Sequence, residues 1–399
     1  EIQGAGKAMI LRKITLPLVL PAILSAVILT FSKAIGTFGT INYLGSPVQY
    51  YTLSSQLYMN INSRDTQTGF AMAILMIIIA SIAVFVNQKL IGSRKSYATI
   101  GGKGGRSTLI GLGKVGRPVI TAALFVFFAV GIIMPIVILV MESFMLKEGI
   151  YSLDNFTLHY WIGESNPQIM EGLPGIFKND EFINSLFNSL RLTLVNGVFG
   201  TIFGQLLGYI TAKGRGRLHG KLVEQLVFIP YLIPSVAFGG IYLSMFSQPQ
   251  QIFGVTLVPA LYGTFALLTL VSVVKHLPFA ARAGTSNMLQ ISGELEEAAT
   301  IEGAGFFRRF VKIVFPLSKG GFISGFMLIF VSIMKELDLI ILIMTPTTST
   351  LPYLAFRYQN GNSPQASDCV AIVMFSIVFL VYAIANLSGK ADLAKSMAG

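Results

Sequence analysis

Long apolar runs dominate this chain and restrict it to folds that suit a lipid bilayer. Eight runs are long enough to cross a hydrocarbon core of about 30 Å as helices. They cover residues 17–44, 67–88, 118–141, 187–211, 222–247, 258–277, 317–344 and 366–387. Hydrophobic residues make up 53% of the chain and charged residues only 12%, which excludes an ordinary soluble domain. The sequence therefore predicts an all-α polytopic membrane protein.

The connections between the runs carry charges that predict their sides of the membrane. The connection 89–117 is basic and has no acidic residue, and 212–221 is also basic. By the positive-inside rule, both should face the cytoplasm. The connection 142–186 is rich in acidic residues and should be external. This pattern explains the net charge of +11 without nucleic acid as a partner.

The segment 292–317 reads SGELEEAATIEGAGFFRRFVKIVFPL and predicts two helices separated by a glycine break. Ser292 is a suitable N-cap, and the glutamates after it favour the positive end of a helix dipole. Gly303 and Gly305 should end the first helix. The second places cations among large apolar residues, as in a helix at a membrane surface.

The same pattern occurs at the N-terminus, as QGAGKAMILRKITLPL, at a constant offset. The pairs are Gly4 with Gly303, Gly6 with Gly305, Lys13 with Lys312, Ile14 with Ile313 and Pro17 with Pro316. We call these two segments the elbows. Six predicted spans separate them, so both elbows should face the same side. The repeat is then parallel, unlike the inverted repeats of many secondary transporters.

Two halves of six spans each are the expected architecture. Residues 1–88 would be the end of the first half, 89–117 a basic cytoplasmic linker and 118–399 the second half. Four spans of the first half would precede Glu1. The linker contains GGKGGRST at 101–108, which lacks the ending of a phosphate-binding loop. ATP would therefore have to be bound by another polypeptide.

The second elbow resembles the EAA loop of ABC-importer permeases, whose usual form is EAA-x3-G-x9-I-x-L-P. The matching residues are Glu297, Ala298, Ala299, Gly303, Gly305, Ile313 and Pro316, and Gly4, Gly6, Ile14 and Pro17 in the first elbow. Phe315 stands where the family usually has Leu. The resemblance implies the type I ABC-importer permease fold, with each elbow as a coupling helix for a cytoplasmic ATPase.

The resemblance also implies partners and a location. We expect two copies of an ABC ATPase, which would bind ATP and Mg, and an extracytoplasmic substrate-binding protein. The chain itself would be a multi-pass protein of the bacterial inner membrane, would bind no cofactor and would not be an enzyme. A secondary transporter that needs no nucleotide is the competing class.

A finer resemblance concerns the substrate. A fused permease with M-K-E-L after the second elbow resembles the ferric-iron importers of the Fbp type and their thiamine and phosphonate relatives. Asp338 stands where K-E-L-P would have proline. Ferric iron or a ferric complex is the expected substrate; thiamine, phosphonate, polyamines and other small solutes are alternatives.

Charged residues inside an apolar run mark a candidate pathway. Lys335, Glu336 and Asp338 lie in the run after the second elbow, where ionisable groups usually face a cavity or each other. Two acids against one lysine suit a cation, or gating contacts between the halves. Alternatively the run ends near Met334 and the three residues are solvated. The first half has Lys33 at the corresponding place but no acid after it.

Prolines and histidines give two further expectations. Pro230 and Pro234 should break the run 222–247, exposing carbonyls to a pore or merely kinking the helix. The histidines His159, His219 and His276 lie far apart without metalloenzyme spacing, so no metal site is expected.

Small and aromatic residues predict contacts. Gly200, Gly204 and Gly208 share one helical face and should allow a close helix approach. The aromatic and charged residues Trp161, Tyr353, Phe356, Arg357 and Tyr358 could anchor an external binding protein or lie in the interfacial belt.

Overall fold

The computed structural model describes residues 6–92, 113–169 and 172–387, and their regular structure is almost entirely helical. The α-helices are α1 (Lys7–Ile10), α2 (Leu16–Gly36), α3 (Gly39–Gly45), α4 (Leu53–Asn62), α5 (Thr66–Gly92), α6 (Gly113–Phe128), α7 (Met134–Glu142), α8 (His159–Ile162), α9 (Asp180–Lys213), α10 (Leu218–Leu232), α11 (Ser235–Phe246), α12 (Phe265–Met288), α13 (Gly293–Ile301), α14 (Phe306–Arg309), α15 (Phe315–Leu317), α16 (Lys319–Met334), α17 (Leu351–Asn360) and α18 (Pro364–Leu387). Strands β1 (Gln250–Ile252) and β2 (Val255–Val258) form an antiparallel hairpin. Gly4 and most of the predicted linker 89–117, including 101–108, lie outside the described residues.

Among these residues, five helices are long and apolar enough to cross a membrane: 66–86, 113–142, α9, α12 and α18. Two bent pairs raise the number to seven if each pair is one span. One pair is α10 with α11, bent by 98°, and the other joins 306–317 to α16, bent by 76°.

Three of the eight predicted spans are not single helices in the structure, and a fourth, 258–277, is displaced, because α12 begins at Phe265 and continues to Met288. The run 17–44 is helical only to Gly36, because Thr37 adopts an extended conformation. The run 222–247 is broken into two helices just before Pro234, as the prolines predicted. In 317–344 the helix ends at Met334, as one of the two interpretations proposed, and the next ten residues form turns whose apolar side chains are buried. The apolar residues after Met334 are buried within the protein, and hydropathy does not distinguish such a buried turn from a helix.

Both elbows share an unusual backbone feature. A five-residue π-helical turn covers Leu11–Thr15 in the first elbow and Phe310–Val314 in the second. Each turn leads into a proline-containing helix start, at Pro17 and Pro316. π-turns are rare and short, so their occurrence at equivalent positions extends the repeat from sequence to conformation.

The centre of the second half is a close packing of α9, α12 and α16. The glycine face of α9 makes it possible, as predicted. A Cβ at Gly204 would lie 2.3 Å from Ala280 Cβ, and one at Gly208 would lie 2.5 Å from the Gly284 carbonyl carbon. A larger side chain at either position would therefore separate the helices.

A separate hydrophobic cluster joins the two halves. Buried residues of the first half, including Phe38, Leu57 and Met76, pack with buried residues of the second, including Val236 and Leu342. The Phe38 ring also contacts Phe356 of α17, with ring centroids 5.5 Å apart. The two halves therefore share a core close to the residues that follow α2 and α16.

Candidate functional site

A cavity of about 670 Å³ lies between the two halves. Its walls come from the end of α2, the α10–α11 break, α12, the turns after α16, α17 and α18. Lys335, Glu336, Asp338 and Pro234, all predicted pathway residues, line it. The structure thus brings together four of the five residues that the sequence assigned to a pathway.

Many wall residues occupy equivalent positions of the two repeats. Four pairs separated by 299 positions line the cavity together: Lys33 and Ser332, Gly36 and Lys335, Thr37 and Glu336, Gly39 and Asp338. One pair is in direct contact, because the Gly39 amide donates to Asp338 Oδ1 at 2.9 Å. Parallel repeats are related by an axis along the membrane normal, and equivalent residues can touch only near that axis. We therefore call this space the axial cavity.

The charge balance of the axial cavity corrects the sequence interpretation. The sequence predicted one lysine, Lys335, against two acids, but Lys33 and Lys275 also line the walls. Three ammonium groups thus share the cavity with the carboxylates of Glu336 and Asp338. The expected negative surplus is wrong, because the folded chain adds two lysines that lie far away in sequence.

Both carboxylates have partners from the protein. Glu336 Oε1 accepts from the Leu339 amide at 2.9 Å, and Glu336 Oε2 lies 3.4 Å from His276 Nε2. His276 Nδ1 lies 2.9 Å from the Ser272 carbonyl and must donate to it, because that oxygen only accepts. The contact of Nε2 with Glu336 then requires one further proton shared between the two groups.

Lys275 holds the break between α10 and α11. Its Nζ donates to the Pro230 carbonyl at 2.9 Å and to the Ile233 carbonyl, which lie where the helix has lost its own donors. Pro230 therefore contributes its carbonyl to this contact, one turn before Pro234, which lines the cavity. A cation at a helix C-terminus also suits the dipole.

Sequence reasoning missed Lys275 and His276. The predicted span ended at 277, so both residues counted as lying at a span end. In the structure α12 continues to Met288, which places both in its middle, 8% and 3% exposed. The signal that could have identified them as cavity residues is that they are ionisable residues in a helix that contains few others.

The second elbow presents part of its motif at the surface. Ser292 caps α13 by accepting from the Glu294 amide, and Gly303 ends it with a φ of +78°, both as predicted. Glu297 and Ala298 are exposed, while Ala299 is half-buried. Beyond them the apolar side chains of Ile301 and Phe307 are 86% and 80% exposed.

Glu296, next to the motif, is buried and connects α13 to α9. Its carboxylate accepts from Tyr209 Oη at 2.6 Å and lies 2.5 Å from Lys213 Nζ, both at the end of α9. Burial acts to raise the pKa of Glu296, but the hydrogen bonds from Lys213 and Tyr209 outweigh it and leave the pKa below its usual value. The ionised carboxylate therefore ties α13 to α9.

The remaining motif residues follow α13 or belong to the first elbow. Gly305 precedes α14 with open space around it, Ile313 is half-buried and Pro316 is exposed. In the first elbow Gly6 and Pro17 are exposed. Ile14 lies in the π-turn, and its side chain is outside the description.

The predicted external anchors are largely internal. Phe356 and Tyr358 are 5% and 4% exposed, so their role as docking residues was wrong. Arg357 pairs with Glu181, and the Trp161 ring stacks on Phe144. Trp161 and Tyr358 pack in the cluster that joins α8, α17, α18 and the start of α9, whereas Phe356 belongs to the cluster that joins the two halves.

Comparison with known proteins gives a family for these features. The family of binding-protein-dependent transport system inner membrane components matches residues 1–97 and 200–391, well over half of the chain. The matched parts contain both elbows and nearly all walls of the axial cavity.

Individual relatives are distant. The ferric transport system permease protein FbpB of Actinobacillus pleuropneumoniae is 22% identical over 96% of this chain, which covers 53% of that protein. The molybdate/tungstate transport system permease protein WtpB of Thermococcus kodakarensis is 28% identical over 51% of this chain and 76% of its own length. A sulfate transport system permease protein, CysT of Synechocystis, is 26% identical over 51% of this chain and 71% of its own length. The chain thus spans about half the length of the ferric permease.

Among solved structures, a bacterial ABC transporter that imports the acidic polysaccharide alginate has a similar fold. The match has a TM-score of 0.53 at 16% identity and covers 68% of this chain and 94% of the other. The helical arrangement is therefore that of an ABC-importer membrane subunit, as the sequence predicted.

Proposed function

The chain belongs to the family of binding-protein-dependent transport system inner membrane components, and from that premise we propose that it forms the membrane pathway of an ABC importer. Substrate delivered from outside would pass between the two repeats by alternating access. The observation that carries this proposal is the axial cavity, whose walls come from equivalent positions of both repeats. A cavity on the repeat axis is lined by both halves and widens or closes when they move relative to each other.

The elbows are the proposed contacts with the motor. Glu297, Ala298, Ile301 and Phe307 offer an exposed charged and apolar surface that suits a protein partner. Because each half carries one elbow, we propose two copies of a cytoplasmic ABC ATPase, with ATP and Mg bound there and not by this chain. Force would reach the cavity wall through the Glu296 contacts with α9 and through α16, which ends at Met334, directly before Lys335.

The substrate-binding protein is the proposed external partner. The solved alginate importer has also been captured with its substrate-bound periplasmic protein, which supports this kind of partner for a chain with the same fold. Most of the described residues between α7 and α9, and those between α11 and α12, would lie on that side of the membrane.

We take ferric iron or a ferric complex as the proposed substrate. The support is the ferric permease that this chain matches along almost its whole length. Sulfate and molybdate or tungstate are the alternatives, on matches to half of the chain at similar identity.

Charge reversal at the elbow tests the coupling role. In the complete permease assembled with its ATPase and binding protein, Glu297→Lys should lower ATP-dependent uptake at least about tenfold, because it reverses the charge of an exposed residue at the proposed interface. Gly303→Pro should have a similar effect, since proline cannot adopt the positive φ of that turn. Both variants should still insert and be recovered with normal yield.

The matched control is Glu224→Lys, which reverses an exposed glutamate on α10. Its uptake should stay within about twofold of the wild type, as for most exposed substitutions. Co-purification of an ATPase with the wild type and its loss from Glu297→Lys would support coupling. Full uptake by both elbow variants, or uptake without nucleotide, would reject the proposal in favour of a secondary transporter.

A further inference from the structure

We infer that the species passing through the axial cavity carries a net negative charge, as an oxyanion or a metal complex with an excess of anionic oxygen ligands does. A bare metal cation, which carries positive charge, would not agree with this inference. This inference deepens the proposed function and depends on it, because it takes the axial cavity to be the pathway. It reverses the charge that the sequence alone suggested.

The first observation is that both acids of the cavity already have donors. Asp338 accepts from the Gly39 amide across the interface of the halves. Glu336 accepts from the Leu339 amide and faces His276. A carboxylate held by protein donors has fewer lone pairs to offer to a passing cation.

The second observation is that none of the three lysines forms an ion pair with an acid among the described residues. Lys335 is exposed to the cavity and has neither a hydrogen bond nor an ion pair in the described part of the chain. Lys33 Nζ lies 5.1 Å from the centre of the Tyr231 ring and 6.0 Å from that of Phe279. Ring faces stabilise the ammonium group but leave its full charge in place.

Lys275 completes the positive set. It is 8% exposed, and its two acceptors are the neutral carbonyls of Pro230 and Ile233. The positive surplus remains whether or not His276 is protonated, because three ammonium groups face at most two carboxylates. Like charges on the wall of one cavity focus the potential inside it, so an anion is attracted and a cation is repelled.

The third observation concerns metal coordination. The described residues contain no group of three His, Cys, Asp or Glu side chains that could hold a metal ion. Bare ferric iron would need several such ligands along its way. A volume of about 670 Å³ instead corresponds to roughly twenty water molecules, which is enough for an ion that keeps its own ligands or water shell.

Uptake by proteoliposomes tests the sign of the charge. The complete permease with its ATPase and binding protein is offered four radioactive probes in turn: iron(III) citrate, molybdate, sulfate and putrescine. We expect uptake of iron(III) citrate or of one of the oxyanions, and the probes distinguish these two sources of negative charge. Lys335→Gln and Lys33→Gln should each lower uptake of that probe at least about tenfold.

Two controls separate charge from folding. Lys335→Arg should keep most of the uptake, because it retains the positive charge. Lys319→Gln removes an exposed lysine at the other end of α16, about 24 Å away at 1.5 Å per residue, and should stay within about twofold of the wild type. ATP hydrolysis stimulated by the binding protein should persist in all four variants.

The outcomes distinguish this inference from the proposed function. Uptake of putrescine alone, or unchanged or faster uptake in both Lys→Gln variants, would overturn the negative charge while leaving an ATP-driven importer intact. Failure of all four probes to enter, together with no stimulation of ATP hydrolysis by the binding protein, would overturn both.

Discussion

The segments after the two elbow helices occupy equivalent positions of the repeat but differ in chemistry. Residues 36–45 read GTFGTINYLG and contain no charge, whereas residues 335–344 read KELDLIILIM and have three charged residues among the first four. The first includes the short helix α3, in which Thr40 and Leu44 are exposed, and the second forms turns that are mostly buried. A duplicated backbone thus supplies a symmetric frame, whereas only the second of these two segments brings charged side chains to the axial cavity.

The difference has a steric reason. The glycines of the first segment let the second segment approach it. A Cβ at Gly36 would lie 2.9 Å from Pro234 Cβ, and one at Gly39 would lie 3.1 Å from Leu337 Cδ2. Small residues on one side and charged residues on the other are therefore complementary parts of one contact. Substitutions that make the two segments more alike should be harmful.

The largest effect is expected for Gly39→Asp, which places an acid at the equivalent position to Asp338. The new carboxylate would face Asp338 in a poorly hydrated contact, so we expect a loss of about 3–5 kcal/mol in the free energy of unfolding. Thermal unfolding of the purified permease measures it. Thr40→Asp, one residue on and exposed, is the control and should unfold close to the wild-type temperature. Equal stability of the Gly39 and Thr40 variants would mean that the contact is absent.

Gly36→Ala should have the next largest effect. The added methyl group meets Pro234 and the Ser235 amide nitrogen within 3.1 Å, and overpacking against backbone costs up to about 3 kcal/mol. Gly131→Ala, where no heavy atom lies within 4 Å, should be neutral or slightly stabilising. The same unfolding measurement compares the two, and a stabilised Gly36→Ala would show that the halves are not in close contact.

Asp338→Ala should cost about 2 kcal/mol, because it leaves the Gly39 amide without its acceptor. Asp338→Asn keeps an acceptor oxygen at the same place and should lose less. If Asn were as harmful as Ala, the charge rather than the hydrogen bond would stabilise the contact. Hydrogen exchange at the Gly39 amide would report the loss directly, by faster exchange in the Ala variant.

The smallest effect concerns the second elbow. Glu296→Gln keeps an acceptor for Tyr209 but loses the ion pair with Lys213, so we expect a loss of about 1 kcal/mol. Because the folded pKa of Glu296 is lowered, its contribution is complete above the ordinary glutamate pKa of about 4.3 and is lost as the pH falls through the lowered value. The difference in unfolding midpoint between the wild type and the variant should therefore be smaller at acidic pH than at neutral pH. A gap that widened in acid would contradict the ionised state.

Much of this architecture could be predicted from residues alone. The offset of the elbows, the N-cap at Ser292, the break at Gly303 and the glycine face of α9 follow from local rules of capping, positive φ and packing. The ends of α2 and α16 were harder to predict, because apolar residues continue beyond them. Hydropathy reports burial, and these turns are buried against the other half.

The cavity was predicted in part for a related reason. Lys335, Glu336 and Asp338 were visible as charges in one apolar run, but their partners come from other parts of the chain. Gly39 and Lys33 lie roughly 300 positions away, and Lys275 and His276 were hidden by a predicted span that ended eleven residues before α12 does. The sign of the cavity charge depends on these distant residues, so no local pattern could give it.

The glycine contact between α9 and α12 has a consequence for how this protein changes shape. Because Gly204, Gly208 and Gly284 bring main chain against main chain, neither helix can slide or rotate past its neighbour without a collision. The two helices should move together as one rigid body during the transport cycle. Bending would then be confined to their ends, near Gly214 and Leu289, and a crosslink between the helices should leave transport intact.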